Sequence, residues 1–204
     1  MPNLLLEQQY TGPVCGIDEA GRGPLAGPVV AACVYIPEEY EFLKGVRDSK
    51  KMTPVQRESM FVEITRHCAF GIAVATPDEI DRINILQATF LAMCRAVDSM
   101  HMAFTVEAKT LLVDGNHKPR GLETFNCVPV VKGDDKSLSI ACASVLAKVT
   151  RDRMMMGLAE QHPHYGWERN MGYPTPDHLQ ALSAHGPCAH HRQSFAPVKM
   201  VAAR

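Results

Sequence analysis

The run Val14-Cys15-Gly16-Ile17-Asp18-Glu19-Ala20-Gly21-Arg22-Gly23-Pro24 limits the folds open to this chain more than any other segment. A short apolar stretch of strand character ends in two adjacent acids, and Gly-Arg-Gly-Pro then takes the backbone out of any regular path. Side chains at a strand end reach open space from a rigid base, which is where sheet proteins commonly mount chemistry. Two acids suit a hard cation such as Mg2+ or Mn2+, whose preferred ligands are oxygens. Arg22 between glycines suits a phosphate, because the flanking backbone can approach closely and the guanidinium can fork onto oxygens. Taken alone, the same residues also read as a polar turn between two strands, the commoner meaning of acids beside glycine.

The elements around this segment point to a mixed α/β sheet. Residues 14–19 read as a first strand and 27–36, rich in valine and alanine, as a second. The Gly-Arg-Gly-Pro turn joins them, and Pro37 ends the second. Residues 69–75 read as a third strand. Thr53-Pro54 and Thr76-Pro77 each set a capping hydroxyl before a proline at the first helical position, opening helices over 54–66 and from 77 to about 100. The second carries Ile80, Ile83, Leu86, Phe90, Met93 and Val97 at helical spacing. Short strands follow at 110–113 and 127–131, then a helix from 137 to about 158 and a helical piece near 176–184. In the 137–158 helix, Ala141, Ala143, Ser144 and Ala147 form a face that must pack closely. Three leading strands joined by turns suggest an antiparallel meander, and the later alternation suggests parallel strands covered by helices. The 204 residues suffice for one substantial core. With 46% hydrophobic and 21% charged residues, the chain belongs among globular rather than disordered proteins.

Several of these strands end in carboxylates. The first gives Asp18 and Glu19, the fourth gives Asp114 in Val113-Asp114-Gly115, and Asp134 follows the fifth in Lys132-Gly133-Asp134-Asp135. If the first and fourth strands are neighbours, Asp18 and Asp114 lie side by side. Clustered carboxylates raise one another's pKa, and a divalent cation removes that cost. Side chains along a regular strand alternate faces, so Glu19 joins Asp18 only if the strand twists or ends there, a departure that Gly21 and Gly23 permit. Asp114-Gly115 alone also reads as a turn, and one of Asp134 and Asp135 reads as charge favouring a helix N-terminus.

Other readings are weaker. The formal net charge of −1 carries no global basic signature, so a polyanion would be held by a local patch or through metal. Gly21-x-Gly23 followed by Gly27 breaks the dinucleotide-binding spacing, no P-loop occurs, and Ser139 and Ser144 lack a nucleophile-elbow pattern. The seven cysteines are odd in number, show no Cys-x-x-Cys spacing and sit mostly in apolar runs, as buried thiols of a reducing compartment would. Residues 1–10 lack the basic start and apolar length of a signal peptide, and no run approaches the ~18 apolar residues of a membrane span, so a cytoplasmic protein is expected. His185, Cys188, His190 and His191 are irregularly spaced for zinc and read as a loop with polar tips. Asp48-Ser49-Lys50-Lys51 is normally a solvated loop, but beside a phosphate site it becomes a charged clamp with a hydroxyl donor. Tyr173 reads as a packing residue or, in a nucleic-acid groove, as a stacking platform.

These blocks together resemble one family. Gly16-Ile17-Asp18-Glu19-Ala20-Gly21-Arg22-Gly23-Pro24-Leu25-Ala26-Gly27-Pro28-Val29 resembles the opening signature of ribonuclease HII. Asp48-Ser49-Lys50-Lys51, Val113-Asp114-Gly115, Lys132-Gly133-Asp134, Ser139-Ile140-Ala141 through Ala147-Lys148-Val149, Arg151-Asp152, Gly172-Tyr173 and His191-Arg192-x-Ser194-Phe195-Ala196-Pro197-Val198 follow in the family's order. The likeness spans about residues 12 to 198. Asp135 stands where the family often has a small or neutral residue, and Met171 where a basic residue is common before Gly-Tyr.

The resemblance implies a single ribonuclease H-like catalytic domain over 1–204, with 160–204 as a C-terminal helical and loop appendage. Its α/β fold would be a mixed five-stranded sheet, antiparallel in its first three strands and then parallel, flanked by helices. It implies endonucleolytic cleavage of the RNA strand of RNA–DNA hybrids and incision 5′ of single ribonucleotides embedded in duplex DNA, leaving 5′-phosphate and 3′-hydroxyl ends. The family's metal-binding acids map onto Asp18, Glu19, Asp114 and Asp134, which would hold two divalent ions, Mn2+ or Mg2+. Substrate contacts map onto Gly21, Arg22, Gly23, Ser49, Lys50 and Tyr173. Backbone groups of the Gly21–Gly23 turn suit a ribose 2′-hydroxyl, and Tyr173 suits stacking on the adjacent deoxyribose. Binding of RNA–DNA hybrid and of ribonucleotide-containing DNA duplex by a monomer is expected, with no membrane and with protein partners left open. The competing reading is a non-catalytic hybrid-binding module on the same fold, although a pure binder of polyanions gains nothing from clustered negative charge.

Overall fold

In the computed structural model, which describes residues 1–37 and 40–203, one sheet carries β1 (Val14–Ala20), β2 (Val29–Tyr35), β3 (Ala69–Ala75), β4 (Thr110–Asp114) and β5 (Asn126–Val130). The strand order is β3-β2-β1-β4-β5. β1 pairs antiparallel with β2 and β2 with β3, whereas β1–β4 and β4–β5 are parallel. The central position of β1 follows from its composition, since residues 14–18 are buried on both faces. β5 is an edge strand, which is why it tolerates Pro129.

The expected pairing is present, but the connections differ. β2 and β3 are joined by residues 36–68, which carry the helix expected over 54–66, here α1 (Pro54–His67), and so are not linked by a simple turn. The β1–β2 connection is a loop over 21–28. Leu25 N donates to Gly172 O and Gly27 N to His190 O, so C-terminal segments hold this loop where a free hairpin turn was expected.

Two layers of helix cover the sheet. On one face α2 (Pro77–Ala103) packs over Cys15, Ile17, Val29, Ala31, Cys33, Leu111 and Val113. On the other, α1 and α3 (Leu138–Gln161) pack over Val30, Ala32 and Val34. The small-residue reading of α3 has a structural cause: a Cβ on Gly16 would lie 2.2 Å from the Ile140 amide nitrogen, so the helix touches β1 backbone to backbone. Thr53 and Thr76 cap their helices with reciprocal side-chain bonds, as their sequences predict. α2 is not one continuous helix. Asn84 adopts φ 65°, ψ 163°, and its side chain accepts from the Leu86 and Gln87 amides, restarting the helix where the apolar spacing gives no sign of a break.

The C-terminal region adds α4 (Trp167–Asn170), α5 (Pro176–His185) and α6 (Ala196–Ala202), of which only α5 is apparent in the sequence pattern. It packs around Trp167 and Tyr165 against Ala26 of the β1–β2 loop and Met155 and Ala159 of α3. All seven cysteines are free, and five are buried. Among the described residues, no helix is long and apolar enough to cross a membrane.

Candidate active site

The register of β1 and β4 sets Ile17 opposite Val113, so the next residues, Asp18 within β1 and Asp114 at the end of β4, lie side by side. Alternation places both on the α3 face, since Ile17 and Val113 belong to the core beneath α2. Asp18 is buried and accepts from the Glu19 amide at 2.7 Å. Asp114 Oδ1 accepts from the Gly133 amide at 2.6 Å, which draws the helical turn Gly133–Asp135 over the end of β4 and buries Asp134 there. Lys132, in a left-handed conformation, makes that turn possible. Asp135 points elsewhere and pairs with Lys51 Nζ at 2.5 Å. Geometry therefore separates two acids that the sequence leaves ambiguous.

Glu19 departs from the expected convergence. β1 stays regular through Ala20, with Glu19 paired to Ala31, so the backbone neither ends nor breaks at Glu19. The side chain leaves toward the α2 side and its Oε1 accepts from Arg22 at 3.3 Å. It lines both the cleft described below and a smaller recess with Phe90, Asp114 and His117.

Charge repulsion is stored in this group. Burial, followed by the charges of Glu19 and Asp114, pushes the Asp18 carboxyl well above the usual carboxylate range. Burial also raises Glu19 against the opposing pull of Arg22. Asp134 is raised by burial, then by Asp114 and Asp48. Burial works to lower Lys50, yet Asp48, Asp18, Asp134 and Asp114 together push it up. Among the described residues, no three carboxylate, histidine or cysteine side chains converge closely enough to complete a metal shell as they stand. The reason is visible: Asp18 and Asp114 each lean on a backbone amide and Glu19 on Arg22. The donors are nonetheless all oxygens and share an unfavourable negative charge, which fits a hard divalent cation.

This makes a thermodynamic prediction. Folded-state values raised above unfolded ones mean that the folded protein binds protons more tightly. The contribution therefore favours folding at low pH and is lost as pH rises through the raised values. At neutral pH, Mn2+ or Mg2+ at 100 times its dissociation constant should stabilise chelator-treated protein by about 2.7 kcal/mol, roughly 5–10 °C in melting temperature. The gain should shrink on acidification. Thermal melts with and without cation at pH 7.5 and 5 check this, and an unchanged melting temperature at pH 7.5 would count against the site.

Beside the acids lies a cleft of about 290 Å3, running from Glu19 along the Gly21–Gly23 turn to Tyr173, with Lys50 and Lys148 also on its walls. Gly21 has φ +98°, and a Cβ there would lie 2.0 Å from Arg151 Nε. A Cβ on Gly23 would meet the Tyr173 ring at 3.4 Å, so the half-exposed tyrosine flanks the turn. Ser49 is buried, its hydroxyl bonds Ser144 Oγ at 2.8 Å, and both serines line the cleft. Lys50 lines it as well.

Sequence reasoning passed over Ser144, Lys148 and Arg151 as cleft residues. Their i, i+4, i+7 spacing is a polar stripe on one face of a buried helix, and that signal was available. The irregular spacing of His185, Cys188, His190 and His191 predicts a loop with polar tips, and the structure differs at His191. His191 is buried: its Nδ1 accepts from the Cys188 amide at 3.1 Å and its Nε2 lies 3.2 Å from His178 Nε2. Burial and then His178 push it down to about 3, so it stays neutral. His178 Nδ1 in turn lies 2.9 Å from the Tyr173 carbonyl.

The family model for Ribonuclease HII matches residues 15–198. The Ribonuclease HII of Paramagnetospirillum magneticum is 52% identical over 201 residues, which cover 97% of each chain. The crystal structure of the ribonuclease H2 from Pyrococcus horikoshii OT3 superposes with a TM-score of 0.78 at 27% identity, covering 94% of this chain and 98% of that one. Bst-RNase HIII, solved in complex with Mn2+, has a TM-score of 0.76 at 19% identity, covering 100% and 73%, and shows a common fold.

Proposed function

The chain belongs to the ribonuclease HII family and is a ribonuclease H endonuclease acting on RNA–DNA hybrids; on that premise we propose that it also incises 5′ of single ribonucleotides embedded in duplex DNA. The observation that carries this reading is the adjacency of three buried or half-buried acids, Asp18, Asp114 and Asp134, to a glycine turn flanked by Tyr173. The unit reading a sugar then sits beside the unit that cuts.

On this reading Asp18, Glu19, Asp114 and Asp134 would hold two divalent ions, Mn2+ or Mg2+, whose Lewis acidity activates a water and stabilises the leaving 3′ oxygen. The protein's own groups do the rest. Lys50 attracts the phosphate backbone to the cleft in a chain of net charge −1, while Lys148 on the same wall is paired with Asp152 at 2.7 Å. The turn's backbone amides read a ribose hydroxyl without reading a base, so sequence preference is low. Tyr173 stacks on the adjoining deoxyribose and favours an RNA-to-DNA step. The products carry 5′-phosphate and 3′-hydroxyl ends.

The test is a duplex with one ribonucleotide, incubated with the chain with and without Mn2+. A cation-dependent nick 5′ of the ribonucleotide is expected, and binding without a nick would confine the activity to longer RNA–DNA hybrids. In the same assay Tyr173→Ala should lose about 10–100-fold at the single ribonucleotide, the scale of one aromatic stacking contact, and less on a long hybrid. Equal loss on both substrates would remove the junction role of Tyr173.

A further inference from the structure

Beneath the Gly21–Gly23 turn lies a guanidinium that the proposed chemistry does not use. Arg192 is fully buried, and none of the ion pairs among the described residues includes it. It is committed to carbonyls instead. Nη2 donates to Gly21 O at 2.5 Å, Nη1 to Arg22 O at 3.0 Å, and Nε and Nη2 to Gly27 O at 3.0 and 2.9 Å. The residue cannot drift, because its own amide donates to Leu25 O and the neighbouring His191 bridges antiparallel to Ala26.

These carbonyl contacts fix the direction of two amides. The described chain has no cis peptide bond. Across a trans peptide the C=O of one residue and the N–H of the next point opposite ways. With the Gly21 and Arg22 carbonyls drawn inward to Arg192, the amides of Arg22 and Gly23 point outward. Both residues are exposed on the wall of the cleft, and neither amide donates to another backbone group among the described residues. Two free, parallel N–H groups on a rigid turn form a receptor for oxygen.

Packing alone is a poor explanation for an arginine here. Burial, and then the nearby Arg151, push Arg192 down to about 9, so keeping this charge in place costs stability. Arg151 is itself buried and engaged with the carbonyls of Pro28, Ala26 and Met171. A forked donor, however, can hold three carbonyls in one fixed arrangement, which no aliphatic or lysine side chain can do.

We propose that Arg192 is a positioning residue for substrate recognition: by holding the carbonyls of Gly21 and Arg22, it aims the amides of Arg22 and Gly23 at a ribose 2′-hydroxyl. This rests on the hybrid-nuclease reading above and adds the part of the protein that sets its selectivity for ribose. Arg192→Lys keeps the charge and loses the fork. Affinities are measured by fluorescence anisotropy, with Ca2+ replacing Mn2+, for a duplex bearing one ribonucleotide and for the same sequence in all-deoxy form. Circular dichroism verifies the fold. The expected result is a roughly tenfold loss of preference for the ribonucleotide, the worth of one good hydrogen bond, with all-deoxy affinity unchanged. A merely structural arginine would weaken both duplexes alike.

Hydrogen exchange of the unaltered chain gives a second reading that does not depend on a variant folding. The Arg22 and Gly23 amides should exchange freely in the unbound protein and become protected by the ribonucleotide duplex but not by the all-deoxy one. Protection in the unbound protein, or equal protection by both duplexes, would overturn the proposal, as would full preference retained in folded Arg192→Lys. If the unaltered chain shows no preference for the ribonucleotide, the ribose reading itself fails, and the proposal falls with it.

Discussion

Asp18→Asn and Asp114→Asn should each leave a folded protein whose nicking rate is lower by about 10³-fold or more, the equivalent of several kcal/mol of lost Lewis-acid stabilisation. The substitutions remove charge while keeping shape. An asparagine Oδ1 at 18 can still accept from the Glu19 amide, and one at 114 from the Gly133 amide, so the tie between β4 and the turn bearing Asp134 survives. For Asp18 there is a second, opposite effect. Its carboxyl is raised by burial and by two neighbouring acids, so its ionised form opposes folding at neutral pH. Asp18→Asn should therefore melt higher than the parent in cation-free buffer at pH 7.5, by roughly 1–8 °C, while being inactive. Single-turnover nicking with Mn2+ and parallel melts check both halves. Normal turnover would remove Asp18 from the site, and a lower melting temperature would mean that it serves packing. Opposed effects on activity and stability mark a residue retained for chemistry.

The sequence discloses different parts of this site for different physical reasons. Asp18 and Asp114 are legible because strand ends announce themselves by an apolar run giving way to acid and glycine, and a parallel β1–β4 pairing then makes them neighbours. The position of Glu19 is legible as a conflict, since alternation sends it away from Asp18, and β1 remains regular past it. Asp134 and Asp135 cannot be told apart by pattern. What separates them is Lys51, 84 residues away from Asp135, which takes one carboxylate and leaves the other buried. The break in α2 is invisible because Asn84 interrupts the helix without disturbing the apolar spacing around it. Arg192 is hidden most completely. Its partners lie 165 to 171 residues earlier and are backbone carbonyls, which leave no trace in residue type. Local chemistry is written in local sequence, whereas the contacts that hold a loop in one conformation are made by closure of the fold.

Gly21→Ala should be among the most damaging single-methyl changes in the chain. The added carbon would meet Arg151 Nε at 2.0 Å, Arg151 Cδ at 2.4 Å and the Pro28 carbonyl at 2.8 Å. Arg151 cannot swing aside, because its guanidinium is bonded to the Pro28, Ala26 and Met171 carbonyls, and Pro28 leads directly into β2. The backbone at φ +98° adds strain of its own. Overpacking of about 1–3 kcal/mol and left-handed strain of about 1–2 kcal/mol together predict a loss of about 2–5 kcal/mol, or roughly 4–20 °C in melting temperature. Gly115→Ala is the internal control. Gly115 has nearly the same backbone, φ +101°, and lies directly after Asp114, but a Cβ there meets nothing within 4 Å. It should lose only the strain, about 1–2 kcal/mol. The difference between the two variants isolates the close approach of Arg151 to the turn. In urea titrations read by circular dichroism, Gly21→Ala should unfold at clearly lower denaturant than Gly115→Ala. If their midpoints coincide, the turn is not clamped against Arg151, and the rigid presentation of the Arg22 and Gly23 amides loses its mechanical basis.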